Sequence, residues 1–355
     1  MDFRPSTAQQ LLIATARDFL RKRGDDSDLW THMAGLGWPG LLIPTEHGGS
    51  GGSLLDVVLL VEELGRAAAP GPFVATAVIA TSLLLAAGTT EQRRRLLPAM
   101  AGGERIVGVA LLDDGGSFDP TRVAVALTPR GRLSGRKIFV EAADRADALL
   151  VTARSVGDIV TVLISKDQPG VAVTPLDTIG IEPVFEVSFD DVAISPEARL
   201  LPLDAQHTAL WSALRAGALA RAAEMVGAAQ RVMELAVEHA RTRVQGGRPI
   251  GGYQAIQHAC ADVVRDVDAA RGLLYAAAWK TSEGLPATTD VAMAKAYAGE
   301  ACLAVARRGH QIFGAIGYCD EHPLHVLHKR ILTASLDGGD AALHLETVAQ
   351  AIGLR

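Results

Sequence analysis

The chain has 355 residues, a formal net charge of −6, 49% hydrophobic and 21% charged residues, the proportions of a soluble globular protein of roughly two or three domains. Aromatics are only 5%, so the apolar content is mostly Ala, Leu and Val, which suits close-packed helices. There is no polybasic run and no basic–aromatic interleaving, which argues against a nucleic-acid partner.

Residues 1–105 read as helices. Thr7–Lys22 carries Leu11, Leu12, Thr15 and Phe19 near helical spacing, and Asp28–Leu36 is a second short helix. Gly48-Gly-Ser-Gly-Gly52 then fits G-x-S-x-G, the hydrolase elbow, with Ser50 as nucleophile. That motif needs a strand ending at the serine, whereas Pro44–His47 intervene and the flanking patterns are helical. Ser53 is placed to cap a helix over Leu54–Arg66, with Asp56 in its first turn. Phe73–Ala87 is the most apolar window. Thr76, Thr81 and Ser82 interrupt it, and it is too short to span a membrane, so a buried helix is expected. Met1–Pro5 is polar with no apolar run behind it, so no secretory signal is expected.

From 106 to 203 the pattern changes to short, often β-branched runs bounded by Gly, Pro and Asp. These are Val123–Leu127, Lys137–Val140, Ala148–Thr152, Ile159–Ile164, Val171–Pro175 and Phe185–Phe189, with a turn in TPRGRLSGRK. A middle antiparallel β domain is expected. From 204 to 355 helical stripes return: Leu214, Ala218, Ala222, Met225 and Ala229; Ile256, Cys260, Val263 and Val267; then Val291, Ala294, Ala298 and Ala301, with Asp290 as a candidate cap. These predict a C-terminal four-helix bundle. The fold class is therefore α+β and mainly helical. Cys260, Cys302 and Cys319 are scattered without a C-x-x-C pair, which favours a reducing cytoplasm. His322, His325 and His328 recur every third residue without a Cys or carboxylate at metal-ligand spacing, so surface or interface histidines are expected rather than a metal site.

The most informative stretch is RTRVQGGRPIGGYQAIQHACAD, from Arg241 to Asp262. Read alone, Gly246-Gly247 ends a helix and Pro249 forbids its continuation. As a motif it resembles the acyl-CoA dehydrogenase signature. Gln311-Ile-Phe-Gly-Ala-Ile-Gly-Tyr318 is similar to that family's Gln-x-x-Gly-Gly-x-Gly-Tyr, and the loop after Gly35-Leu-Gly-Trp38 also matches. The resemblance implies FAD as cofactor, bound across a subunit interface by Arg243, Gln311, Gly314 and Gly317. It also implies an acyl-CoA substrate and an electron-transferring flavoprotein as electron acceptor.

The flavin-ring side departs from the family. Leu112 replaces a threonine, and Glu141-Ala142 stand where a hydroxyl and amide are usual. The matching place for the base is Asp337, a methylene shorter than the family's Glu; the family's other base position is Gly217 here. This division implies a heterotetramer, α2β2, in which this chain completes the FAD site of a related subunit. Such paired forms are known among bacterial enzymes for bulky steroid-side-chain CoA esters. The alternatives are a self-sufficient homotetramer with Asp337 as base, a serine hydrolase using Ser50, and a helical protein without flavin.

Overall fold

A computed structural model describes residues 5–22, 28–119, 122–200 and 203–354. Secondary structure changes character where the sequence does. Helices α1 (Thr7–Lys22), α2 (Leu29–Gly35), α3 (Leu54–Arg66), α4 (Thr81–Ala87) and α5 (Thr90–Ala101) come first. Strands β1 (Val107–Ala110), β2 (Ala126–Leu127), β3 (Arg132–Glu141), β4 (Ala148–Ser155), β5 (Asp158–Ile164), β6 (Val171–Leu176) and β7 (Val184–Ala193) follow. The chain returns to helix in α6 (Leu203–Thr242), α7 (Gln254–Ser282), α8 (Thr288–Phe313), α9 (Leu324–Leu336) and α10 (Ala341–Ala351), with a two-stranded ribbon, β8 (Val244–Gln245) and β9 (Arg248–Pro249), between α6 and α7. No helix among the described residues is long and apolar enough to cross a membrane.

The chain divides into two compact units, Met1–Asp25 with Leu54–Ala69 and Ala218–Arg355, and Asp26–Ser53 with Pro70–Gly217. The second holds a seven-stranded sheet in the order β1-β4-β2-β3-β7-β6, with β5 paired to β4. The sheet is mixed rather than purely antiparallel: β1 runs parallel to β4 (Val107↔Ala148) and β2 meets β4 in parallel at Ala126↔Arg154. Leu149, Val151 and Ala153 face a core with Val140, Val162, Phe185 and Val187. Leu150 and Leu163 face another with Leu84, Leu97, Met100 and Leu210. Burial on both faces is why β4 and β5 read as continuous apolar runs, while β7, buried only at alternate residues, alternates apolar and polar. The apolar window forms one continuous helical stretch, but its first half, Phe73–Ala80, is π-helical before it tightens into α4.

The first unit is a helical assembly in which α3 and α6 touch at backbone distance. A Cβ on Gly227 would overlap the Glu62 carbonyl, and one on Gly65 would overlap the Glu224 carbonyl. Asp290 is not the cap of α8. The helix starts at Thr288, and Asp290 sits in its first turn, where it accepts from Lys280 Nζ at 2.6 Å.

Candidate functional site

The glycine pair after α6 does not end that helix. The helix stops at Thr242, and Gly246 and Gly247, with φ of +61° and +79°, form the two-residue turn between β8 and β9. A hairpin turn with both central residues at positive φ is the geometry glycine supplies without strain. Behind it, the Tyr253 hydroxyl donates to the Gln245 carbonyl at 3.0 Å, and the Arg248 guanidinium lies 4.1 Å from the Tyr253 ring centroid. A side chain at Gly246 would overlap that hydroxyl. Arg243 is exposed and, among the described residues, makes no hydrogen bond or ion pair through its side chain.

The second motif ends α8. Gln311 is exposed, and the helix closes at Gly314 with φ +66° and ψ −141°. Nothing lies within 4 Å of a Cβ built on Gly314, so its backbone is open to close approach. Gly317 is different: it is buried, and a Cβ there would sit 3.1 Å from Leu324 Cδ2 and from Phe313 Cβ. It therefore shapes the loop by packing. The end of α6 meets the second motif through aromatic contact. His239, near the end of α6, packs on Phe313 with ring centroids 4.5 Å apart, and burial, then the Arg243 charge, hold its pKa below the usual imidazole value.

The histidines form a packed set. His310 Nε2 and His328 Nδ1 are 2.9 Å apart, Tyr318 stacks on His310 at 4.5 Å, and His322 packs on Phe313 at 4.3 Å. His325 Nε2 lies 3.0 Å from the Asp320 carbonyl. Burial lowers the pKa of His310, His322 and His328. No group of three metal-ligating side chains occurs among the described residues.

Asp337 follows α9 and opens a turn in which Gly338 and Gly339 have φ of +69° and +96°. Its Oδ2 accepts from Arg221 Nε at 2.5 Å. Arg221 Nη1 donates to Glu224 Oε2 at 2.9 Å, and Arg330 Nη1 donates to Glu224 Oε1 at 2.8 Å. Arg221, Glu224 and Arg330 are all buried, which makes Glu224 a structural ion-pair hub. From α8, Lys295 Nζ donates to the carbonyls of Ser335 at 3.0 Å and Gly339 at 2.7 Å, and His344 Nε2 lies 2.9 Å from the Gly338 carbonyl. Burial pushes the Lys295 pKa down to about 8. Gly217 is buried, and a Cβ there would stand 2.8 Å from the Ile79 side chain, which leaves no room for a carboxylate without displacing that residue.

In the other unit, Leu112 is buried and lines a small cavity of about 20 Å³ with Asp113, Phe118, Thr152, Leu210 and Leu214. Beside it Lys137, fully buried, donates to Asp113 Oδ2 at 2.8 Å, Thr152 Oγ1 at 3.0 Å and the Leu111 carbonyl at 3.0 Å, and burial lowers its pKa to about 8. Register breaks in β3 between Lys137 and Val140, and Phe139 and Ala142 take φ of +52° and +50°; Glu141 between them is half-buried. No strand leads to Ser50; a 3₁₀ turn at Thr45–His47 precedes it, so the elbow geometry is absent.

Sequence reasoning missed Lys137, Lys295, the Arg221–Glu224–Arg330 hub and the His310–His328 pair. Two signals were available. Lys137 opens the short apolar run Lys137–Val140 of β3, and Lys295 stands next to Ala294 within the apolar stripe of α8.

The family models for the acyl-CoA dehydrogenase N-terminal and C-terminal domains match residues 6–104 and 207–353. The chain is 32% identical to the acyl-CoA dehydrogenase FadE27 of Mycobacterium tuberculosis over 84% of this chain and 81% of that protein. It is 29% identical to a short-chain-specific acyl-CoA dehydrogenase of Megasphaera elsdenii over 91% and 92%. The solved butyryl-CoA dehydrogenase from Megasphaera elsdenii superimposes with a TM-score of 0.93 over 100% of both chains at 28% identity. Helices, mixed sheet and helices in this order, the two interface motifs and these full-length likenesses lead to one conclusion: the chain belongs to the acyl-CoA dehydrogenase family, flavin-dependent oxidoreductases whose cofactor is FAD.

Proposed function

We propose that this chain is one subunit of an α2β2 acyl-CoA dehydrogenase, in which it completes a FAD site whose flavin-ring contacts and catalytic base come from a related subunit. The observation that carries this reading is the ion pair between Arg221 and Asp337. A base for α,β-dehydrogenation of a thioester must accept the α proton. Asp337 Oδ2 is already engaged by a buried guanidinium, and taking a proton there would break the pair.

The faces of the chain divide in the same sense. Arg243 presents a guanidinium with no partner among the described residues, suited to a pyrophosphate, with Gln311 and the open backbone of Gly314 on the α8 terminus. Gly317 acts by packing that loop. On the other side, Leu112 and Ala142 have no hydrogen-bonding side chain, and an ionised Glu141 is an acceptor that cannot donate to a carbonyl. FAD, when bound, supplies the hydride acceptor. The substrate is an acyl-CoA thioester, with bulky steroid-side-chain esters as the proposed class and an electron-transferring flavoprotein as the acceptor of electrons.

The deciding experiment is flavin stoichiometry and turnover of the purified chain, alone and co-expressed with a related acyl-CoA dehydrogenase subunit. One FAD for every two chains, with activity only in the co-expressed complex, is expected. A yellow, active homotetramer with one FAD per chain overturns the proposal and returns Asp337 to the role of base.

A further inference from the structure

At one end of the sheet, where β1 and β4 begin and β5 finishes, lies a cavity of about 280 Å³. Its apolar lining includes Leu96 of α5 and Leu163 of β5, which belong to the same core, with the half-buried Ala148 of β4 packed against them. Two arginines reach it, Arg95 from α5 and Arg105 from the approach to β1. Among the described residues Asp147 is the one acidic residue lining it, and its carboxylate is committed: Oδ1 accepts from Arg105 Nη1 at 2.6 Å and Oδ2 from the Ile106 backbone N–H at 2.9 Å. Arg95 makes no hydrogen bond or ion pair through its side chain among the described residues. The cavity therefore combines an apolar wall, a neutralised ion pair and one guanidinium whose charge nothing in its surroundings answers.

We propose that this cavity is a binding site for a small carboxylate with a compact apolar body, the carboxylate held by Arg95 and the chain laid against Leu96, Ala148 and Leu163. A guanidinium presents parallel N–H donors that match a carboxylate in a bidentate geometry. Leu96, Ala148 and Leu163 offer apolar surface on one side, and the volume lies near the lower end of the range of small-molecule sites. The site is independent of the flavin and acyl-CoA reading, since none of its residues belongs to either motif.

The test uses the full chain with methyl-labelled Ala and Leu and hexanoate as probe, followed by NMR. Saturable shifts at the methyls of Leu96, Ala148 and Leu163 are expected at millimolar hexanoate. Hexanamide, which keeps the chain and loses the charge, should bind at least about tenfold more weakly, and Arg95→Gln should weaken hexanoate by a similar factor. Arg95 is exposed on α5, so this variant leaves the core intact. Ala148→Leu, which fills part of the cavity, should also weaken binding, whereas Arg243→Ala should leave it unchanged. Shifts that grow linearly without saturation, that persist in Arg95→Gln, or that appear only at methyls away from this cavity overturn the proposal.

Discussion

Arg221 Nε and Asp337 Oδ2 are 2.5 Å apart, with the Arg221 side chain 8% exposed and that of Asp337 40% exposed. The carboxylate at the position where the family matches its base is thus tied to a helix that also carries Glu224. The pair is one end of a chain of charge-assisted bonds that runs through Glu224 to Arg330, whose Nη2 donates to the Ala69 carbonyl at 3.1 Å. Cutting such a chain leaves a buried guanidinium short of a partner, which costs more than the pair itself contributes.

Asp337→Asn separates the two roles. In the co-expressed complex, turnover should stay within a few-fold of wild type, while the melting temperature of this subunit falls because a neutral amide no longer pairs with Arg221. A loss on the order of 10²-fold or more in rate, with the flavin spectrum and melting temperature unchanged, would identify Asp337 as the base.

Arg243→Ala tests the interface motif. The residue is exposed and packs against no core, so folding should be unaffected, as judged by circular dichroism. Flavin occupancy of the assembled complex should drop, and FAD affinity should weaken by about tenfold or more for the loss of charge-assisted bonds to a phosphate. Unchanged occupancy and affinity count against the placement of FAD on this face.

Gly227→Ala probes the contact of α3 with α6. In an isolated helix this change is favourable by up to about 1 kcal/mol. Here the new methyl meets the Glu62 carbonyl, so a net destabilisation of about 1–3 kcal/mol is expected, read as a lower denaturation midpoint. A stabilised variant would show that the helices separate freely at this point.

Acid should weaken the helical unit. His239, His310, His322, His328 and His344 all have folded pKa values below the ordinary 6.5, chiefly because burial disfavours the imidazolium. A depressed folded pKa means that the unfolded chain binds more protons between that value and 6.5, so the contribution is present above pH 6.5 and is lost as pH falls through the folded values. The melting temperature should decline from pH 7 to pH 5, and His310→Asn should flatten that decline. A pH-independent midpoint over this interval would contradict the burial seen for these rings.

Much of this architecture was legible in the residues. The bounds of α1 and α3 follow from apolar spacing, the middle strands from β-branched runs, and the two interface motifs from local glycine, arginine and glutamine patterns. Local chemistry was less certain where one residue type serves two purposes. Gly246-Gly247 satisfies a helix terminator and a hairpin turn equally well, and only the pairing of Val244 with Pro249 decides between them. The parallel pairing of β1 with β4 was likewise hidden, because register between strands some forty residues apart leaves no local periodicity.

What the sequence determined by itself is the part of this protein encoded at short range: element types, the helical and β segments, and the motifs that place the chain in its family. What only the tertiary structure decided is the state of its charged groups. Glu224, Lys137 and Lys295 read in sequence as ordinary polar positions, and Asp337 as the place matching the family's base. The burial of the first three, and the pairing of Asp337 with Arg221, of Glu224 with Arg330, of Lys137 with Asp113 and of Lys295 with the Gly339 carbonyl, come from elements far apart in the chain. The reason is physical: the cost of burying a charge depends on what the fold brings within about 3 Å of it, and no spacing along a chain encodes that distance.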